Sequence, residues 1–194
     1  RGVMGAMIAS RGVRGWAATE QDGAALVRRV DRARTLRLAA RSMQVPVATV
    51  TSFPAQRSPG GPHDFYSEAD YFWPNPTNPS GPYKEVDGRS NPDNFLDHRK
   101  AMLAMAMAVP ALTAGWVVTK KKAYAQRAVE HLRAWFVTPA TRMTPNLEYA
   151  QAVRQGVSGR SWGIIDTLHL AEVARAASVL EQAKIMAGDD RAGV

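Results

Sequence analysis

Arg160 stands between Gly159 and Ser161, just ahead of a predicted helix. A guanidinium fork there matches a carboxylate through two parallel hydrogen bonds. Trp162 follows with a flat apolar face. Far upstream, Tyr66, Tyr71, Trp73 and Tyr83 crowd one proline-rich stretch. Such rings stack on the apolar C–H faces of sugars, and the tyrosine hydroxyls remain able to hydrogen-bond. Tyr149 and Gln151, in a second long connection, supply further polar contacts. His63 lies beside Asp64, and a carboxylate neighbour can orient an imidazole and favour its charged form. A cationic fork, stacking rings and polar tips suit an anionic sugar polymer with one carboxylate per uronic acid unit. Each feature also has a plainer reading: Phe72 and Trp73 as the loop's own small core, Arg160 as a surface cation, His63 as a bystander.

Other chemistries find less support. His98, His131 and His169 fall on predicted helices as packing or surface residues. No His-x-x-x-His spacing or matching acidic pair suggests a metal site; His63 with Asp64 and Asp70 is the nearest cluster, and it is weak. No metal and no cofactor is expected. Cysteine is absent, which excludes thiolate catalysis, disulfides and Cys-based zinc sites. Gly60-Gly61-Pro62 is a turn rather than a phosphate loop.

The 194 residues carry a formal charge of +8, with a pI of about 10.2. Such a surface attracts polyanions through long-range fields, whether nucleic acid, acidic lipid or acidic polysaccharide. The length predicts one domain. No stretch reads as the ~20 apolar residues a membrane span needs, and residues 1–17 contain no clean secretory signal.

The elements that must position these groups follow from periodicity. Residues 22–43 read as a helix with Leu26, Val30, Ala33 and Leu36 near one face and Arg28, Arg29, Arg32 and Arg37 around the rest. Residues 45–53 are β-branched and read as a short strand or extended chain. The stretch from Pro59 to Pro92 holds seven of the twelve prolines and three of the five tyrosines, so it cannot be a regular helix. Its aromatic content argues for an ordered loop, since disordered segments are poor in rings. Asn91, Pro92 and Asp93 read as a helix start. Met102, Met105, Val109, Leu112 and Trp116 form a core stripe, and Pro110 predicts a kink. A further helix is expected over 123–137, a long connection over 138–160, and a buried helix over 162–186 with Ile164, Ile165, Leu168, Leu170 and Val173 as its apolar face. Helices separated by long loops suit an all-α layered architecture.

Several blocks recur in a familiar order. His63-Asp64-Phe65-Tyr66-Ser67-Glu68-Ala69-Asp70-Tyr71-Phe72-Trp73-Pro74-Asn75-Pro76, then Gly81-Pro82-Tyr83 and Asp87-Gly88, resembles the opening signature of alginate-lyase-type polysaccharide lyases. Ala134-Trp135-Phe136, Asn146-Leu147-Glu148-Tyr149-Ala150-Gln151 and Gly159-Arg160-Ser161-Trp162-Gly163-Ile164-Ile165-Asp166-Thr167 agree with it. The resemblance covers residues 40–182, with Ser161-Trp162 and Lys120-Lys121-Lys122 as departures. It implies an all-α fold, the helical hairpins of an incomplete (α/α) toroid with long Pro- and aromatic-rich loops. It also implies β-elimination on a uronate polymer such as alginate, and a periplasmic or secreted location. Family members use an Asn-His pair, an Arg and a Tyr further along the chain. No Asn-His pair occurs here, so no catalytic residue is carried over. The expected substrate-binding residues are His63, Tyr66, Tyr71, Trp73, Tyr149, Gln151, Arg160 and Trp162.

The expected organisation is a loose segment over 1–20, a partial alginate-lyase-like domain over 21–187 and a truncated tail over 188–194, the whole a fragment lacking the catalytic region. Two other functions compete. One is a non-catalytic carbohydrate-binding helical module built on the same aromatic loop. The other is a basic nucleic-acid binder resting on the arginines of residues 28–41; it ranks last because no nucleic-acid motif is present, and no nucleic-acid partner is expected.

Overall fold

The computed structural model describes residues 31–186, together with Ala25, Arg29, Gly188 and Asp190. Leu26 and Val30 of the expected first helix face, the 1–20 segment and most of the tail lie outside these residues. Among the described residues four α-helices follow in order: α1 (Arg32–Ser42), α2 (Asp97–Thr119), α3 (Lys122–Leu132) and α4 (Leu170–Gln182). Between them run four short strands: β1 (Tyr66–Glu68), β2 (Phe72–Trp73), β3 (Lys84–Glu85) and β4 (Tyr149–Ala152). β1 pairs in parallel with β4, with Tyr66 opposite Tyr149 and Glu68 opposite Ala152. β2 pairs antiparallel with β3. The all-α toroid expected from the sequence is therefore not what forms; the fold is mixed α/β. Its strands are two to four residues long, and β1 finds its partner more than eighty positions away. Pairing over such a distance leaves no local period to read.

α2 is the hub, packing against α1, α3, α4 and β1. Its buried stripe contains Met102, Met105, Val109, Leu112 and Trp116, the core stripe expected from their spacing. By length and composition α2 is apolar enough to cross a bilayer, which the sequence reading missed. A helix that is apolar nearly all round is normally enclosed by neighbours, and half of its apolar window is covered by this fold.

α1 approaches α2 on small residues. It buries Thr35, Ala39 and Ser42, whereas Ala33 is exposed and Leu36 half-buried. A Cβ added to Gly115 would sit 2.5 Å from the Ala39 Cβ, so Gly115 allows the two backbones to come close.

Several boundaries move. Residues 45–53 form only a short 3₁₀ turn, Val50–Ser52. α2 starts at Asp97, not at Asn91. The Asn91 side chain instead donates to the Phe72 carbonyl at 2.8 Å while accepting from the Asp93 N–H at 3.0 Å. Asn94 donates to the Ala69 carbonyl at 2.7 Å. Residues 91–96 thus clamp the aromatic loop before the helix begins. The helix expected over 162–186 splits into a 3₁₀ turn, Ser161–Thr167, followed by α4. Trp162, Ile164 and Ile165 on that turn and Leu168 just after it are exposed, so the expected apolar face is only buried from Val173 onward.

Candidate functional site

The β1–β4 ribbon divides two clusters of charge. Neighbouring strand residues point to opposite sides, so Tyr66 and Glu68 face one way and Ser67 the other. All three are buried. His98 on α2 fixes the start of this ribbon. Its Nδ1 accepts the Tyr66 N–H at 3.0 Å, and its Nε2 donates to the Phe53 carbonyl at 2.8 Å. Burial lowers its pKa, which suits a neutral ring accepting through one nitrogen and donating through the other.

On the first side, Glu68 is 1% exposed and fully engaged. Arg57 reaches it through Nε at 2.5 Å and Nη2 at 2.9 Å. Arg154 Nε lies at 3.1 Å, the Tyr66 hydroxyl at 3.0 Å and the Phe95 N–H at 2.6 Å. Burial pushes the Glu68 carboxyl up, but the bonds from Arg57, Phe95 and Tyr66, with the charge of Arg154, outweigh it, and the net shift is down. Burial, reinforced by Glu68, pushes the Tyr66 phenol up. Tyr66 is thus a protonated donor within the fold, and its 4% exposure leaves no ring face for a sugar. A cavity of ≈480 Å³ opens beside this network, bordered also by Tyr83, Val157 and Ser158.

The second side carries a cleft of ≈320 Å³ lined by Asp70, Tyr71, Phe72, Glu85, Arg99, Gln151, Arg160, Trp162 and Ile165. It gathers four of the expected substrate-binding residues: Tyr71, Gln151, Arg160 and Trp162. Arg160 precedes the 3₁₀ turn in extended backbone. Its Nε donates to the Gln151 carbonyl at 2.9 Å and Nη2 lies 3.4 Å from Gln151 Oε1. Its guanidinium sits 4.7 Å from the Phe72 ring centroid. Among the described residues no carboxylate pairs with Arg160, so its charge stays available to a ligand. Trp162 is 64% exposed at the rim and Tyr71 38%, which leaves both rings open for stacking. Gly163 brings this turn onto β4: a Cβ there would lie 2.6 Å from the Ala150 Cβ.

Beneath the cleft lies Asp166, 3% exposed. It accepts from the Ser67 hydroxyl at 2.6 Å and from Gln151 Nε2 at 3.0 and 3.2 Å. Arg99 Nε stands 3.2 Å from it, and Arg99 Nη1 lies 3.6 Å from Asp70.

The remaining expected residues go elsewhere. His63 borders a separate cavity of ≈580 Å³ with Phe136, Pro139, Arg142, Met143, Thr144 and Pro145. Its Nδ1 is 2.7 Å from the Arg142 carbonyl; a carbonyl only accepts, so Nδ1 carries the proton. Trp73 donates its indole N–H to the Arg89 carbonyl at 2.7 Å, and the Arg89 guanidinium covers its ring at 4.3 Å. Tyr149 packs over Gly60 and borders neither ribbon cleft. The structure therefore does not bring His63, Tyr66, Trp73 and Tyr149 into the Arg160 cleft. The residues that sequence reasoning missed are Asp70, Phe72, Glu85, Arg99 and Asp166. Arg99 hid in the charge run Asp97–Lys100, which reads as a solvated helix start. Asp166 had a usable signal, a lone carboxylate after Gly163-Ile164-Ile165. Among the described residues no group of His, Asp and Glu is placed to hold a metal ion.

A family model described as "Alginate lyase" matches residues 49–194. A crystal structure of an alginate lyase from Bacteroides ovatus is similar to this chain, with a TM-score of 0.75 and 27% sequence identity. The match covers 89% of this chain and 48% of that one, so this chain spans about half the length of the solved structure. No curated protein matches it.

Proposed function

Because the chain belongs to the alginate lyase family, we propose that it is part of a polysaccharide lyase, and that the Arg160 cleft grips a uronate polymer such as alginate for β-elimination. The observation that carries this reading is Arg160, a half-buried guanidinium on an aromatic ring with no carboxylate partner among the described residues. A uronate carboxylate pairs with the Nη1 and Nη2 hydrogens that Gln151 leaves unused. The exposed faces of Trp162 and Tyr71 receive the sugar ring alongside.

In the elimination, a base takes the proton from C5. The C5–H electrons form the C4–C5 double bond, and the C4–O4 bond breaks as O4 gains a proton from an acid. Negative charge builds on the C5 carboxylate during proton removal, and a cation held against it lowers that barrier. Arg160 fits this electrostatic task. The base and acid are assigned to no residue here. Such a substrate also fits the periplasmic or secreted location that the resemblance implies. His63, Tyr66, Trp73 and Tyr149 drop out of the direct-contact set, since each is buried, covered or outside the cleft.

The test is to mix the chain with alginate and with other uronate polymers. Binding is measured, and the ultraviolet absorbance of an unsaturated uronate end is followed. Saturable binding lost in Arg160→Ala supports the reading. Absence of both binding and elimination with every uronate overturns it. Binding that survives Arg160→Ala moves the grip to another surface.

A further inference from the structure

The Asp166 side chain is fully buried, yet three donors from three elements converge on it. The Ser67 hydroxyl on β1 donates to it at 2.6 Å and itself accepts the Gln151 backbone N–H at 2.8 Å. The Gln151 side-chain amide on β4 donates to both carboxylate oxygens. Arg99 on α2 supplies an ion pair at 3.2 Å. Gln151 is thereby held at two points, and it needs to be: its φ is +57°, in the left-handed region that a non-glycine residue seldom occupies.

That grip settles which way the amide points. A carboxylate accepts and does not donate, so the Gln151 nitrogen must face Asp166. The amide oxygen is then turned towards Arg160 Nη2, and the backbone carbonyl of the same residue takes Arg160 Nε. The order is Asp166, Gln151, Arg160. A second arm runs from Asp166 directly to Arg99, which lines the same cleft.

We propose that Asp166 is the positioning residue of the cleft. It aims Arg160 through Gln151 and Arg99 by direct pairing, and so gives the cleft its preference for a carboxylate-bearing sugar over a neutral one. This rests on the reading of the cleft as a uronate site and extends it to what sets the selectivity.

The experiment compares binding of a uronate oligosaccharide with binding of the same oligosaccharide after its carboxylates are reduced to alcohols, using the whole chain. Wild type should prefer the uronate by about tenfold or more, the scale of one charge-assisted hydrogen bond. Asp166→Asn places an amide N–H against donors and should erase most of that preference while binding of the reduced sugar stays within about twofold of wild type. Gln151→Met leaves the Asp166–Arg99 pair in place and decides the matter if Asp166→Asn does not fold. It should lower the preference by a smaller, severalfold amount. Equal losses for both sugars, or an unchanged preference in the folded variants, overturn the positioning role and leave the uronate reading intact. A wild type that does not distinguish the two sugars overturns the uronate reading and the proposal with it.

Discussion

The two sides of the β1–β4 ribbon use the same residue types to opposite ends. On the Glu68 side, two arginines converge on one buried carboxylate, and a phenol and a backbone N–H complete its shell. Each of these arginines is committed to the protein. Arg57 and Arg154 also both donate to the Asp93 carbonyl, which ties the start of the α2 approach to the ribbon. On the Asp166 side, the carboxylate engages Arg99 and hands Arg160 only neutral oxygens. One side is a closed clamp; the other keeps a cation unspent. The lesson is that an arginine's partner, more than its position in a cleft, decides whether it holds the fold or waits for a ligand. Of the two cavities beside the ribbon, the larger lies on the clamped side, so cavity volume does not follow the free cation.

The sharpest way to break this contrast is to remove the clamp. Glu68→Gln should destabilise the chain by about 3 kcal/mol, the lower end for breaking a buried pair because Arg57 is half exposed. Thermal unfolding should drop by roughly 10 °C. The same change should leave the uronate preference of the remaining folded protein intact. A loss of preference with no loss of stability would reverse the assignment of the two sides.

Acid offers a second route of comparable size. The Glu68 carboxyl titrates below its ordinary value of 4.5 in the folded chain. The unfolded chain therefore takes up that proton first, and the clamp's contribution, present above about pH 4.5, fades as pH falls through the folded value. His131 adds an earlier loss. Burial lowers its imidazole from 6.5 to about 4, so the unfolded chain binds more protons between those values and stability declines by up to about 3 kcal/mol across them. Both His131 ring nitrogens lack partners among the described residues, so His131→Leu strands no hydrogen-bond partner. Chemical denaturation from pH 7 to 4 should show the decline flattened in His131→Leu, leaving the later loss from Glu68. An unchanged profile would mean that His131 does not titrate as its burial requires.

Effects on the open side should be smaller and confined to binding. Arg160→Ala should weaken a uronate oligosaccharide by about 30-fold, near 2 kcal/mol for a charge-assisted contact, with thermal unfolding almost unchanged because the residue has no ion-pair partner among the described residues to strand. Arg160→Lys should recover only part of the affinity, since an ammonium lacks the fork. Smallest of all, Trp162→Ala should cost about fivefold, the scale of one stacking contact. It should affect the uronate and its reduced form alike. A Trp162 effect seen only with the charged sugar would give the ring a different task.

The sequence by itself determined much of the helical frame. The Met102–Trp116 stripe announced a core helix through its spacing of three and four, because a helix's buried face is a local property of neighbouring turns. The recurring blocks identified the family, and a fork and a ring beside a glycine singled out Arg160 and Trp162, which line one cleft. What only the tertiary structure decided was which of the eight chosen residues meet. The rings of the proline-rich stretch look alike in sequence, yet Tyr71 reaches the open cleft, Tyr66 is sealed against Glu68 and Trp73 is covered by Arg89. β1 alternates its side chains across a ribbon whose other strand comes from β4, and one residue's shift in that register would exchange the two sides. Such a register is fixed by contacts between distant segments, as are the three donors around Asp166, and no local pattern encodes them.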